Sequence, residues 1–222
     1  MRINNLFEDN HILVVEKPVN IAVMEDSSKD DDFLNILKKD IKKRYNKPGN
    51  VYLALVHRLD RPVGGVMVFA KTSKAAARLS AQVSKHEMSK QYHAIVCGSL
   101  TPSSGTLEDY LLKNKKTNTV SVVKKDTPNS KFAQLNYALV ETQENLSLVK
   151  IDLITGRSHQ IRVQFSSRNF PLWGDQRYNK QARVGQQIAL FASKLTFKHP
   201  ISNEVMEFEC PLPNRFPYTL FH

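Results

Sequence analysis

A short polar segment, HRLDRPVGG at residues 57–65, contains the carboxylate that is best placed for chemistry. Asp60 lies between Arg58 and Arg61, and the segment joins two apolar runs that have the composition of buried strands. Nearby cations favour the ionised form of a carboxylate, which suits a nucleophile or a general base. An aspartate can also simply organise a turn through local hydrogen bonds. The segment by itself leaves both roles open.

A second polar segment, TGRSHQIRVQF at residues 155–165, is suited to binding an anion. Around the start of a predicted helix it places Arg157, His159, Gln160 and Arg162. Backbone N–H groups at the start of a helix attract negative charge, and two arginines would strengthen this attraction. The alternative is an ordinary capped helix whose arginines face solvent.

The other motifs exclude several common chemistries. PLWGDQRY at 171–178 combines an aromatic residue, a tight turn and Asp175, but it does not indicate a function by itself. The sequence has no phosphate-binding GxxxxGK[ST] loop, no GxGxxG, no HExxH and no GxSxG. The seven histidines lack ligand spacing, and Cys97 and Cys210 fit neither a metal knuckle nor a disulfide framework. We therefore expect neither a metal ion nor a cofactor.

The charge of the chain favours a nucleic-acid partner. Lysine and arginine number 32 against 21 acidic residues, which gives a net charge of +11. Such an excess attracts polyanions through phosphate contacts and counterion release, but it does not separate an enzyme from a binding protein. Lysines cluster at 113–116 and 124–125, beside an expected exposed hairpin that is either a solvated loop or a contact to RNA. No apolar run is long enough for a membrane span and no secretion signal is apparent, so we expect a cytoplasmic protein.

The periodicity of the apolar residues predicts the elements that position these segments. Two amphipathic helices have apolar residues four positions apart, at Phe33, Leu37, Ile41 and Tyr45 and at Ala75, Leu79 and Val83. Thr72 or Ser73 can cap the second helix. Strand patterns dominate the rest, and they predict a hairpin made by 132–140 and 146–153. We therefore predict a single α+β domain over residues 1–222 with a largely antiparallel sheet.

Taken together, these segments resemble the RluA family of pseudouridine synthases. The matching segments follow the family's order: HILVVEKPVNIAV, HRLDRPVGGVMVFAKTSKAA, KQYHAIV, TGRSHQIRV, PLWGDQRYN and IALFASKLTFKHP. HRLD followed by GRxHQIR is a highly specific pair of motifs. The resemblance implies the pseudouridine synthase fold, a mixed, largely antiparallel sheet with flanking helices and a central catalytic cleft.

The resemblance also implies roles for individual residues. Asp60 corresponds to the catalytic aspartate, and Tyr92 to the tyrosine that stacks on the target base and helps to handle protons. Arg162 corresponds to the basic residue that pairs with the aspartate, and Leu190 to the apolar residue beneath the base. Arg58 corresponds to the arginine that enters RNA where the uridine leaves the stack.

The function that follows is isomerisation of specific uridines to pseudouridine in structured RNA, either ribosomal or transfer RNA. The remaining residues expected to bind substrate are Arg61, Arg157, His159 and Gln160. We expect a monomer that uses no cofactor. The alternative is a non-catalytic RNA-binding protein on the same fold, which would not need Asp60, Tyr92 and Arg162 together. An aspartate-dependent hydrolase is a weaker alternative, because no second catalytic carboxylate is apparent.

Three departures from the family pattern are informative. Pro62, Val63, Gly64 and Gly65 follow the aspartate where many members have Thr-Ser-Gly, so contacts to RNA at this turn could differ. Asn20 stands where glycine is common, and asparagine can adopt the same left-handed backbone. Only about ten residues precede the first predicted strand, so we expect no N-terminal S4 RNA-binding domain.

Overall fold

The computed structural model describes residues 3–25 and 30–221, which form two compact units. The first unit extends to Met88 and also includes Lys194–Cys210. The second unit contains Ser89–Ser193 and the segment that begins at Pro211. Whether the chain is one catalytic domain over 1–222 stays a prediction.

In the first unit, two helices pack on antiparallel strands. The elements are β1 (Asn4–Glu8), β2 (Ile12–Lys17), α1 (Phe33–Arg44), β3 (Ala54–Leu55), β4 (Gly64–Ala70), α2 (Ser73–Ser84), the second part of β10 (Leu190–Lys198) and β11 (Val205–Glu209). Strand β2 pairs with β1 and with β4, β3 also pairs with β4, and β10 pairs with β11. All seven residues of β4 are buried, and both α1 and α2 pack against this strand.

The two predicted amphipathic helices of this unit are confirmed, with two corrections to their apolar faces. Tyr45 lies just past the end of α1 and is 52% exposed, and Gln82 rather than Val83 is the buried residue in the last turn of α2. The side chain of Asp32 accepts a hydrogen bond from the N–H of Asn35 and caps α1. Thr72 caps α2 by accepting from Ala75, as the sequence predicts. None of the helices in the described part of the chain has the length and apolarity needed to span a bilayer.

The second unit is an antiparallel sheet with one short helix. Its elements are β5 (Ser89–Cys97), β6 (Ser104–Asn114), β7 (Thr119–Val123), β8 (Lys131–Gln143), β9 (Leu146–Leu153), α3 (Gln160–Ser166), the first part of β10 and a 3₁₀ turn (Tyr218–Phe221). The strand order is β5-β9-β8-β6-β7. Helix α3 packs on β6 and β7, with a small core of Leu111, Val120, Ala133 and Val163.

The predicted hairpin is confirmed as β8 and β9. Glu144 and Asn145 connect the strands with φ of 50° and 59°, as a two-residue turn of the primed type requires. The strand pairings described within both units are antiparallel, and helices flank the strands, so the predicted α+β class is confirmed. Helix α3 begins only at Gln160, because His159 adopts a left-handed backbone with φ of 51° directly before it.

Candidate active site

The HRLD segment has alternating burial. His57 and Leu59 are buried, Arg58 is exposed and Asp60 is half-buried. Nε2 of His57 accepts a hydrogen bond of 3.1 Å from the N–H of Val68, which ties the segment to β4. Since alternate side chains of an extended chain face opposite ways, the anchored side carries His57 and Leu59. Arg58 and Asp60 are the residues left on the outer side.

A buried lysine fixes the turn that carries Asp60. Lys17, at the end of β2, has 0% of its surface exposed. Its Nζ donates to the carbonyl oxygens of Pro18, Arg61 and Val63 at 2.9, 3.1 and 2.8 Å. The Asp60 carbonyl accepts from Val63 N–H at 3.0 Å and closes the turn. The sequence motifs assign Lys17 no role, although a lysine at the end of the strand pattern ILVVEK is a usable signal.

The position of Lys17 changes its ionisation. Burial lowers the pKa of Lys17 to about 7, and the negative charge of Asp60 opposes this while Arg61 adds to it. The interaction with Asp60 means that the charge of Lys17 reaches the carboxylate whose turn it holds. Lys17 therefore couples the geometry and the electrostatics of the HRLD turn.

Arg61 and Asn20 connect the same turn to the loop after β2. The Arg61 guanidinium forms an ion pair with Asp30, and its Nε donates to the carbonyl of Asn20 at 3.3 Å. Asn20 has φ of 65°, so the predicted left-handed backbone is confirmed. Gly65 has φ of 123° and pairs with Lys17, which explains why a glycine is needed after the turn. The structure thus shows Arg61 in a bracing position, and its contact with RNA stays a prediction.

In the second unit, Gln160 organises the TGRSHQIR loop. Its side chain is buried, and Oε1 accepts from Thr155 Oγ1 at 2.8 Å and from Arg157 N–H at 3.0 Å. Nε2 donates to the carbonyl of Gln134 at 3.0 Å. Gln160 thereby fixes the backbone of Arg157, and its expected contact with substrate stays a prediction.

Arg162 is held by a carboxylate that the sequence analysis left without a role. Its Nε and Nη2 donate to Asp175 Oδ2 and Oδ1 at 2.8 and 2.6 Å, and both side chains are buried. Asp175 Oδ1 also accepts from the N–H groups of Arg177 and Tyr178 at 3.0 and 3.3 Å. A bidentate pair of this kind fixes the plane of the guanidinium. The spacing of the two motifs gave no signal for this pairing.

Tyr178 joins His159 to the edge strand β7. Its hydroxyl lies 2.7 Å from Nδ1 of His159 and accepts from Val120 N–H at 2.8 Å. The Arg162 guanidinium lies over its ring, 5.2 Å from the centroid. Burial raises the pKa of the Tyr178 hydroxyl above its ordinary value. His159 is thus oriented by Tyr178.

Tyr92 and Leu190 are buried residues of β5 and β10. Tyr92 is 7% exposed and pairs with Ile151 of β9, and Leu190 is 5% exposed. Lys90 precedes Tyr92 by two positions, so both side chains lie on the same face of β5. Burial lowers the pKa of Lys90, and a Cβ on Gly156 would lie 3.8 Å from its Nζ. Lys90 is therefore beside the TGRSHQIR loop, a position that the sequence analysis missed.

The predicted residues therefore form local groups. Arg58, Asp60 and Arg61 share one turn of the first unit, and the TGRSHQIR residues share one loop and helix of the second. Their roles stay predictions. Within 3–25 and 30–221, no group of three or more histidine, cysteine or acidic side chains could hold a metal ion.

Comparison with known proteins identifies relatives over nearly the whole chain. Residues 11–167 match the family model described as RNA pseudouridylate synthase. An uncharacterized RNA pseudouridine synthase of Bacillus subtilis is 35% identical over 211 residues, 94% of this chain and 68% of that protein. Ribosomal large subunit pseudouridine synthase C of Vibrio parahaemolyticus is 32% identical over 97% of this chain and 67% of its own length. Synthase D of Zymomonas mobilis is 33% identical, over 94% and 68%.

Solved structures agree on the fold. Human RNA pseudouridylate synthase domain containing 4 superposes with a TM-score of 0.82 at 22% identity, over 98% of this chain and 92% of that one. Human RNA pseudouridylate synthase domain containing 1 gives 0.75 at 22% identity, over 95% and 83%. With the motifs in the predicted order, this chain belongs to the RNA pseudouridylate synthase family and is a pseudouridine synthase of the RluA type.

Proposed function

We propose that this pseudouridine synthase modifies uridines of large-subunit ribosomal RNA and that Asp60 is its catalytic carboxylate. The support for the RNA is that two relatives are named as ribosomal large subunit pseudouridine synthases. The support for Asp60 is one observation above all: a fully buried lysine holds the backbone of its turn through three carbonyl oxygens. A buried cation is costly, so this arrangement favours a turn whose geometry matters for function.

The reaction requires one carboxylate at the ribose. The N1–C1′ bond of uridine breaks, the base turns, and a C5–C1′ bond forms, after which C5 loses its proton and N1 gains one. Asp60 either attacks C1′ or removes the proton from C2′ to give a glycal, and both routes begin from the ionised carboxylate. No redox change or external energy is needed, so the proposed mechanism uses no cofactor.

The second unit supplies the other residues of the proposed mechanism. Tyr92 supports the loosened base and handles a proton, and Leu190 provides an apolar contact that keeps water away. Arg162 supplies a positive charge for the aspartate. The bidentate bond to Asp175 supports this assignment, because it orients the guanidinium before substrate binds.

The arginines and Lys90 are proposed to handle the RNA backbone. Extracting a uridine from its stack costs a few kcal/mol, which contacts to phosphate must offset. Arg58 is exposed and takes the place of the departing base. Arg157 and Lys90, beside the same loop, bind phosphate with His159 and Gln160 as supporting residues. We further propose that the protein acts as a monomer in the cytoplasm.

The experiment that tests Asp60 measures tritium release from RNA labelled at C5 of uridine. Asp60→Asn is expected to abolish release while RNA binding is retained, because the amide can neither attack nor accept the proton. Asp31→Asn makes the same chemical change at an exposed position and should behave as wild type. Pseudouridine formation by Asp60→Asn would rule out the assignment. If the wild type releases tritium, substrate deuterated at C2′ then separates the routes, since only proton removal gives a primary isotope effect.

The substrate is tested by mapping pseudouridine in cells with and without the gene. We expect one or more positions of large-subunit ribosomal RNA to lose the modification. Loss only from transfer RNA would contradict the ribosomal assignment and leave the proposed chemistry intact.

A further inference from the structure

The sheet of the second unit presents an exposed pair of aromatic rings outside the predicted catalytic residues. Tyr110 of β6 is directly opposite Phe132 of β8, and the ring centroids lie 5.6 Å apart. Phe132 is 38% exposed and Tyr110 is half-buried. Their sequence neighbours Leu111 and Ala133 face the other way, into the core beneath α3. The two rings therefore lie on the open face of the sheet.

The chain around these rings is strongly basic. Residues 110–134 contain a single acid, Asp126, and six exposed lysines: Lys113, Lys115, Lys116, Lys124, Lys125 and Lys131. Among the residues that the structure describes, none of these lysines is in an ion pair. A large share of the net charge of +11 therefore lies on the β6–β7 hairpin and the segment that leads to β8.

Lys113 and Lys131 lie on the same strand faces as Leu111 and Ala133, whereas Lys115, Lys116, Lys124 and Lys125 lie in the turns at the two ends of β7. We propose that Tyr110, Phe132 and these four turn lysines form a surface, the aromatic hairpin face, that binds unstacked nucleotides flanking the target uridine. The inference rests on the proposed action on RNA. Aromatic rings accept the faces of unpaired bases, and surrounding lysines attract the phosphates. A partner protein would explain exposed rings, but it would not require the four turn lysines beside them.

Two contacts connect this face to the candidate site. The Nε of Arg157 donates to the carbonyl of Phe132 at 2.8 Å, so an arginine of the TGRSHQIR loop is held beside the ring pair. Arg177 donates to the carbonyls of Thr117 and Asn118 at 3.0 and 2.9 Å and fixes the tip of the hairpin. A fixed surface loses less conformational entropy on binding.

Glu108 places a negative charge at one end of the aromatic hairpin face. It lies two positions before Tyr110 on the same face of β6, and it is exposed. Its charge repels phosphate, so the RNA backbone is expected to run from the rings towards the lysines. Glu108→Gln should therefore tighten binding of RNA slightly.

The test uses a labelled 20-nucleotide single-stranded RNA and a duplex of the same length, with binding measured by fluorescence anisotropy. The double variant Tyr110→Leu, Phe132→Leu keeps apolar side chains but removes both rings. We expect it to bind the single strand on the order of tenfold more weakly and the duplex about as well as wild type. Tyr52→Leu, which removes an exposed ring elsewhere, should change neither. Thermal melting verifies that each variant is folded.

A second measurement separates charge from stacking. Replacing Lys124 and Lys125 by glutamine should lower the slope of log affinity against log salt by about 0.7 for each lysine on single-stranded RNA. An unchanged slope, or equal loss of single-strand and duplex binding in the ring variant, would overturn the proposal.

Turnover distinguishes this proposal from the proposed function. On an RNA that the wild type converts, the ring variant should raise KM and leave kcat unchanged. If the wild type converts no uridine yet the ring variant binds single-stranded RNA weakly, the proposed function is wrong and the RNA-binding role of the aromatic hairpin face is supported. If conversion occurs and the ring variant binds single-stranded RNA as tightly as wild type, the surface fails.

Discussion

The turn at 57–63 and the segment at 155–162 are both held by a buried cation, but the two cations have different partners. Lys17 donates to three neutral backbone carbonyls in the first unit. Arg162 donates through two nitrogens to the carboxylate of Asp175 in the second. A lysine is a point charge with three donors, whereas an arginine presents a rigid planar fork.

This difference in partners has consequences for ionisation. Neutral carbonyls only partly replace water around an ammonium, and burial lowers the pKa of Lys17 to about 7. Arginine stays charged, and its carboxylate partner offsets the cost of burial. The turn that carries Asp60 is therefore expected to respond to pH near neutrality, because Lys17 loses its proton there. The ion pair between Arg162 and Asp175 is not expected to respond in that range.

At neutral pH, the largest effect is expected when the carboxylate of the second unit is removed. Asp175→Asn keeps the shape of the side chain but leaves the buried guanidinium without this negative charge. We expect the free energy of unfolding to fall by about 3 kcal/mol, within the usual range for breaking a buried ion pair. Tritium release should fall as well, since Arg162 loses its fixed orientation. Chemical denaturation and single-turnover rates measure the two effects.

An exposed pair provides the control for Asp175. Asp31→Asn breaks an ion pair with Lys39 in which both side chains are 66% exposed, and it should cost no more than about 1 kcal/mol. Equal losses in Asp175→Asn and Asp31→Asn would show that burial of the Arg162 pair does not matter.

The sequence predicts the turn held by Lys17 better than it predicts the ion pair between Arg162 and Asp175. The HRLD turn is readable because its two apolar flanks and Gly65 lie next to it in sequence, and Lys17 ends a recognisable strand. Asp175 lies thirteen positions beyond Arg162, outside the helix, and only the folded loop brings the two together. Long-range pairs of this kind leave no periodic signal.

The periodicity of the apolar residues does not predict a strand at 104–114, which forms β6, for a related reason. Leu107 and Leu111 are buried, and Asp109 lies between them on the same face. Asp109 is accommodated there because Arg168 and Gln164 donate to it at 2.8 Å. An acid at an inward position breaks the alternation of apolar residues that predicts a strand.

The second effect concerns the pH dependence that Lys17 introduces. An unfolded lysine keeps its proton up to its ordinary pKa of 10.5, whereas folded Lys17 releases it at about 7. Between these values the unfolded state binds more protons, so Lys17 makes stability rise as pH increases from 7 to 10.5. The slope is at most about 1.4 kcal/mol per pH unit. Lys17→Met should remove it, as denaturation at several pH values would show.

The matched control for Lys17 is an exposed lysine. Lys74→Met should leave the slope of stability against pH as in wild type. If Lys17→Met also leaves that slope unchanged, Lys17 is not the titrating group. The expected difference in pH response between the Lys17 contacts and the Arg162–Asp175 pair would then be wrong.

The smallest effect tests whether the contacts around Arg162 also stabilise the edge strand β7. Tyr178→Phe keeps the ring beneath Arg162 but removes the hydroxyl that accepts from Val120 N–H and contacts His159. The buried N–H of Val120 then lacks its acceptor, which should cost about 1 kcal/mol of unfolding free energy. We expect faster amide hydrogen exchange at Val120, with little change at Arg162. Slow exchange at Val120 in the variant would mean that the β6–β7 hairpin is held in place without the Tyr178 hydroxyl. The stabilising effect of the Arg162–Asp175 pair would then not extend from α3 to β7.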